Sequence, residues 1–199
     1  MNYDRYLNQS IAAVPPSGIR RFFDLAATMK DAISLGVGEP DFVTPYHIRN
    51  AAINSILDGE TQYTGNRGLP ELLREISIYL ETRYGTSYHP EKEIVVTVGA
   101  SESIDIALRA MVSPGDEVLV PEPSYVSYSP SVIFAGGKPV GVETTHEDAF
   151  RLKPEKVLRA ITPKTKALIL PYPNNPTGGI MERADLEALA KVVRDKEIM

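Results

Sequence analysis

The chain has 199 residues, 43% of them apolar, 24% charged and 8% aromatic, with no cysteine and a formal net charge of −5. That composition excludes disordered, collagen-like and membrane-spanning chains, and zero cysteine excludes a disulfide framework, a thiolate metal site and a cysteine nucleophile. With 21 basic against 26 acidic residues there is no basic surplus of the kind a nucleic-acid binder carries.

The N-terminus, Met1 to Tyr6, lacks the basic and apolar regions of a secretion signal, so a cytoplasmic location is expected. No apolar run approaches the roughly 20 residues that cross a bilayer. Residues 1 to about 40 read as an irregular arm around a short helix over 18–29, because Val14-Pro15-Pro16-Ser17-Gly18 cannot sit inside a regular element. Two amphipathic helices follow. Ile48, Ala52 and Ile56 mark one apolar face; Leu69, Leu72, Leu73, Ile76 and Leu80 mark a stronger one.

From residue 93 strands alternate with helices. Glu93 to Val98 is a β-branched run, ended by Gly99, and Ile104, Ala107, Leu108 and Met111 then give a helical stripe. Strands are predicted over 117–120, 138–142 and 166–170, helices over 125–135 and 154–161, and a last helix with Leu186, Leu189, Ala190 and Val193 on one face. Short apolar strands between helices imply a largely parallel sheet covered on both faces. The fold class is α/β. After Lys196 the chain turns apolar at Ile198-Met199, where the alternation expects another strand. Alternation alone fits equally a chain that ends after its last helix and one that continues.

Several junctions carry possible chemistry. Thr97 to Ser103 closes a strand and opens a helix, where free N–H groups of the first turn bind anions; Ser101 there serves either an anion or simply its own helix as a cap. Pro171 to Gly179 follows another strand, at the edge where ligands of open α/β sheets gather. Its two asparagines between prolines suit a stiff loop that presents an amide, although Asn-Pro and Gly-Gly also make ordinary turns. Tyr125 at the same edge can stack on a planar ligand or merely pack. Leu35 to Phe42 lacks the third glycine and the βαβ context of a dinucleotide fingerprint. His47, His89 and His146 share no metal-ligand spacing and read as surface or capping residues.

Taken together, Ser34 to Phe42, Tyr63-Thr64-Gly65 with Gly68 to Leu72, Val96 to Ala100, Pro114 to Val118, Pro121 to Tyr128 and Pro173 to Gly178 resemble, in order and spacing, the class I/II aminotransferases. These are the fold-type I enzymes that use pyridoxal 5′-phosphate. The resemblance implies a three-layer α/β/α fold, here an incomplete large domain over 41–199, with residues 1–40 as an arm belonging to the small domain. It implies transfer of an amino group between an amino acid and a 2-oxo acid, in a homodimer, with no nucleic acid and no membrane as partner.

The resemblance also assigns roles. Gly99, Ala100 and Ser101 correspond to the cup for the cofactor phosphate, Tyr125 to the aromatic stacked on the pyridine ring, and Asn175 to the amide donor to the phenolic oxygen. Tyr63 corresponds to the residue that reaches the partner subunit's cofactor phosphate, and Gly38 to backbone lying against the substrate α-carboxylate. The Schiff-base lysine, the aspartate facing the pyridine nitrogen and the arginine that clamps the substrate carboxylate have no counterpart in these 199 residues. The chain is therefore expected to be the N-terminal half of such an enzyme and inactive alone. A fold-type I β-lyase, a non-catalytic remnant and an interaction module are the alternatives.

Overall fold

The computed structural model describes residues 4–18, 22, 24–26, 28, 29, 33, 38 and 40–199. Part of the predicted helix over 18–29 and most of the segment 34–39, Gly38 excepted, lie outside the described residues. The chain divides into two compact units, one made of residues 1–16 with 98–199 and one of residues 17–97.

The first unit holds a three-stranded sheet in the order β2-β1-β3, with β1 at Glu117–Glu122, β2 at Lys138–Glu143 and β3 at Thr165–Leu168. Both pairings are parallel. A further parallel pattern begins on the outer edge of β3, where Met199 N–H donates to Lys166 O at 3.1 Å and Leu168 N–H donates to Met199 O at 2.8 Å.

The period of two in β1 sorts its side chains between two cores. Val118 and Val120 pack with Leu108 and Val112, at the end of a helix over Gly99–Met111, and with Val132 of a helix over Tyr128–Phe134. Leu119 faces the other way, against Val157 of a helix over Pro154–Ala160 and Leu189 and Val192 of a helix over Arg183–Asp195. Helices thus cover both faces, and the domain is α/β/α as the sequence pattern predicts.

The second unit carries helices at Tyr46–Leu57, Pro70–Tyr84 and Pro90–Glu93. In chain order, with Gln9–Ala12 as α1, these three are α2, α3 and α4. The helices of the sheet-bearing unit are then α5 (Gly99–Met111), α6 (Tyr128–Phe134), α7 (Pro154–Ala160) and α8 (Arg183–Asp195). Pro70 opens α3 at a position where a missing N–H costs nothing, and Gly85 at φ 68° ends it. His89 caps α4, accepting the Glu91 N–H on its side chain at 3.2 Å, which is the capping role its sequence context allows.

Three expectations need correction. Residues 94–98 belong to no sheet among the described residues: Ile94 is extended, but Val98 forms a bend, Val95 and Val98 are exposed, and Val96 N–H donates to Arg67 O. A β-branched run supplies strand propensity, but a strand exists only where a neighbour pairs with it. The helix predicted between residues 125 and 135 is present as α6, after a bend and turn over 123–127. The predicted face of α2 is helical but not buried: Ile48 and Ile56 are 50% and 66% exposed. In α8 the buried residues are Leu189 and Val192, packed with Leu119, Leu152 and Val157, whereas Leu186 and Ala190 lie exposed; Asp185, on the buried side, pairs with Arg151.

Candidate active site

Neighbouring strands β1 and β3 send the chain to opposite faces of the sheet. After β1 comes α6, packed on the face of Val118 and Val120; after β3 comes α8, packed on the face of Leu119. The crevice between the C-terminal ends of β1 and β3 is therefore a topological switch point, the place where open α/β sheets bind ligands.

Connectivity directs the start of α5 toward the same edge. Its last residue, Met111, is followed after a short link by the first residue of β1, so helix and strand run antiparallel. Both are about 20 Å long, 13 helical residues against 6 extended ones. Gly99, at φ 80°, turns the extended segment into the helix. The N-cap is Val98, with no side-chain cap; its own N–H donates to the Glu102 carboxylate. Ser101 is thus the third helical residue and not the cap, and it is exposed. A helix start leaves the N–H groups of its first turn without partners inside the helix, and Ala100 and Ser101 lie in that turn.

Tyr125 sits in the loop after β1, half-buried, edge-on to Tyr128 with ring centroids 5.6 Å apart. Burial, and then the nearness of Tyr125, push the Tyr128 phenol above its ordinary pKa. A cavity of about 500 Å³ opens here, lined by Glu122, Tyr125, Ser129, Glu143 and Thr144 among others. Of the predicted site residues Tyr125 alone lines it.

The loop after β3 closes on itself. Asn174 N–H donates to Gly179 O at 2.9 Å, and Gly178 N–H donates to Asn174 O at 2.8 Å. Asn175 is exposed, whereas Asn174 is 4% exposed and donates from Nδ2 to Pro123 O at 2.9 Å and to Thr177 Oγ1 at 3.1 Å. That bond to Pro123 brings the loop of Asn175 against the loop of Tyr125. Behind it, Tyr172 donates its hydroxyl to Phe150 O at 2.8 Å. Ala149 and Phe150 adopt φ 51° and 56°, and the resulting turn abuts Gly179, where a Cβ would meet Ala149 O and Phe150 Cβ at 3.2 Å.

Among the predicted residues, Gly99, Ala100, Ser101, Tyr125 and Asn175 lie in the sheet-bearing unit, whereas Tyr63 and Gly38 lie in the other. Tyr63 is fully exposed; Gly38 is exposed, and a Cβ there would meet nothing within 4 Å. Sequence reasoning missed Asn174, because nothing in two adjacent asparagines says which one the backbone turns inward. Among the described residues no group of three or more His, Asp or Glu could hold a metal ion, and no helix is long and apolar enough to cross a membrane.

An open parallel sheet covered by helices on both faces, with two loops joined at its switch point, defines a doubly wound α/β protein. Residues 30–199 match the family Aminotransferase class I and II, and the chain belongs to that family. It is 48% identical over 194 residues to the putative aminotransferase YugH of Bacillus subtilis, covering 98% of this chain and 50% of that protein. It is 45% identical over 193 residues to the aspartate aminotransferase of Pyrococcus abyssi, covering 97% of this chain and 50% of that protein. The solved aspartate aminotransferase of Thermus thermophilus with maleate superposes with a TM-score of 0.91 at 40% identity, covering 96% of this chain and 51% of that one. The chain thus spans about half the length of the curated relatives it matches.

Proposed function

We propose that this chain supplies the phosphate cup and ring-facing loops of a pyridoxal 5′-phosphate-dependent aminotransferase, the whole protein moving an amino group between an amino acid and a 2-oxo acid. The carrying observation is the switch point between β1 and β3, where the Asn174–Pro123 bond joins the loops of Tyr125 and Asn175; the short link from α5 to β1 directs the start of α5 toward the same edge. The donor set fits the group. A dianionic phosphate suits the first-turn N–H groups of Ala100 and Ser101, the Ser101 hydroxyl and the positive end of the helix, with Gly99 making the turn. A planar ring suits the Tyr125 phenol face, and a phenolic oxygen suits the exposed Asn175 amide.

When bound, pyridoxal phosphate supplies an electron sink for the substrate's α-carbon. The chain's own part is to bind and orient: phosphate at α5, ring at Tyr125, phenolic oxygen at Asn175, substrate carboxylate beside the Gly38 backbone. Tyr63, exposed, would extend to the cofactor phosphate of a second copy in a homodimer. On this reading residues 1–40 form an arm of a small domain and 41–199 part of the large one. No lysine here sits in a Ser-x-Ser-Lys setting, so the chain alone would bind the cofactor without turning substrate over.

Parallel titrations with pyridoxal 5′-phosphate and with pyridoxal test the assignment. The phosphate form is expected to bind at least about ten-fold tighter, since a charge-assisted phosphate cup contributes well over 1.4 kcal/mol, and Ser101→Ala is expected to narrow the gap. Equal affinity for the two compounds would overturn it, and amino-group exchange catalysed by the isolated chain would overturn the claim of inactivity. Sedimentation at increasing concentration tests the homodimer.

A further inference from the structure

Asn174 is the one buried asparagine of the Pro173–Gly178 motif, and it bonds across 51 residues of sequence to Pro123. Its orientation is fixed by its partners. Pro123 O can only accept, so the atom facing it must be Nδ2, and the remaining Oδ1 is buried without a hydrogen-bond partner among the described residues. The Nδ2 bond sets a fixed separation between two loops that no secondary structure joins, since β1 ends at Glu122 and β3 at Leu168.

The two loops carry different chemistry. One presents Tyr125, two residues beyond Pro123; the other presents Asn175, next to Asn174 itself. We infer that Asn174 is a positioning residue: its Nδ2 bond to Pro123 sets the ring-stacking tyrosine and the amide donor in one geometry, so that a planar ligand meets both at once. This rests on the reading of Tyr125 and Asn175 as cofactor contacts, but the loop coupling itself needs no ligand. Thr177, which accepts the second Nδ2 bond at 3.1 Å, closes the loop internally and does not reach the Tyr125 side.

The test measures both parts on the full chain. Without ligand, Asn174→Ala is expected to speed amide hydrogen exchange over residues 124–128, the Tyr128 N–H bonded to Tyr125 O included, at least ten-fold while the amides of β1 and β3 keep wild-type rates. Thr177→Val, which leaves the Pro123 bond intact, is expected to leave 124–128 unchanged. Asn174→Asp, of equal volume but facing Pro123 with an acceptor, serves if the alanine variant does not fold, and the same acceleration is expected. With pyridoxal phosphate, Tyr125→Ala is expected to weaken binding several-fold in the wild type and markedly less in the Asn174→Ala background, because the ring is no longer held in place. Unchanged exchange over 124–128, or strictly additive losses of affinity, would overturn the inference. Failure of Tyr125→Ala and Asn175→Ala to weaken binding at all would instead overturn the cofactor reading, with the exchange rates still deciding whether Asn174 couples the loops.

Discussion

Thr162 donates its hydroxyl to the carboxylate of Glu117 at 2.6 Å, joining the turn before β3 to the first residue of β1. Glu117 is only 7% exposed and also accepts from Lys138 Nζ at 3.1 Å, at the start of β2, while its N–H donates to Lys164 O. One carboxylate thus ties together the beginnings of all three strands, at the edge opposite the candidate site. The Thr162 hydroxyl first, and the Lys138 ammonium next, hold its pKa below the ordinary glutamate value. A depressed folded pKa means that the unfolded chain binds the proton more readily. The stabilisation is then complete above the ordinary glutamate range and disappears as pH falls through the lowered value. Urea midpoints measured from neutral pH into acid are expected to show the wild type converging on Glu117→Gln; a gap that stays constant would contradict this.

Tyr172 makes a second long-range tie, its hydroxyl donating to Phe150 O at 2.8 Å. Burial raises its phenol pKa, so the donor stays protonated across the physiological range. Removing only the hydroxyl in Tyr172→Phe leaves the ring in its place against the core and strips Phe150 O of that donor. A loss of about 1 kcal/mol is expected in denaturant unfolding, with the slope of the transition unchanged because the surface exposed on unfolding stays the same.

The parts of this fold that were legible in the sequence are those where local pattern and tertiary role agree. Val118, Leu119 and Val120 read as a strand buried on both faces, and they are split between two cores. The segment 94–98 shows the opposite case: its β-branched residues have the propensity, but pairing is a property of two chain segments and cannot be read from one. In α8 the apolar stripe suggested Leu186 and Ala190 as core, but packing against Leu119 and Val157 turns Leu189 and Val192 inward instead, a tertiary choice that one helix's stripe does not reveal. At the site, the glycine that opens α5 and the aromatic after β1 were visible as punctuation. The burial of Asn174 was not, because it depends on a contact with Pro123 across the switch point.

Gly137 shows how tightly the entry to β2 is packed. A Cβ there would lie 2.6 Å from Val112 Cγ1, 3.1 Å from Val132 Cγ1 and 3.3 Å from Asp116 O. Val112 and Val132 are both buried and β-branched, so neither can rotate away cheaply. Gly137→Ala is expected to destabilise the sheet-bearing unit by about 1–3 kcal/mol. Gly141→Ala is the contrast. There the Cβ would meet the Glu122 carboxylate at 2.7 Å, the free end of an exposed side chain that can swing aside. Thermal melts of the two variants should therefore separate widely, and similar losses would show that the crowding at Gly137 relaxes.

Gly99 and Gly59 allow backbone strain to be separated from ligand binding. Both adopt left-handed backbone, at φ 80° and 79°, and at both a Cβ would meet nothing within 4 Å. An alanine at either position pays only the left-handed penalty of about 1–2 kcal/mol, so Gly99→Ala and Gly59→Ala should lower stability to a similar degree. They should differ in one respect. Gly59 follows α2, whereas Gly99 sets the direction of the first turn of α5, whose N–H groups form the proposed phosphate cup. The preference for pyridoxal phosphate over pyridoxal is expected to fall in Gly99→Ala and to survive intact in Gly59→Ala. An equal fall in both variants would mean that the loss follows from general destabilisation, and the start of α5 would then no longer stand as the anion site.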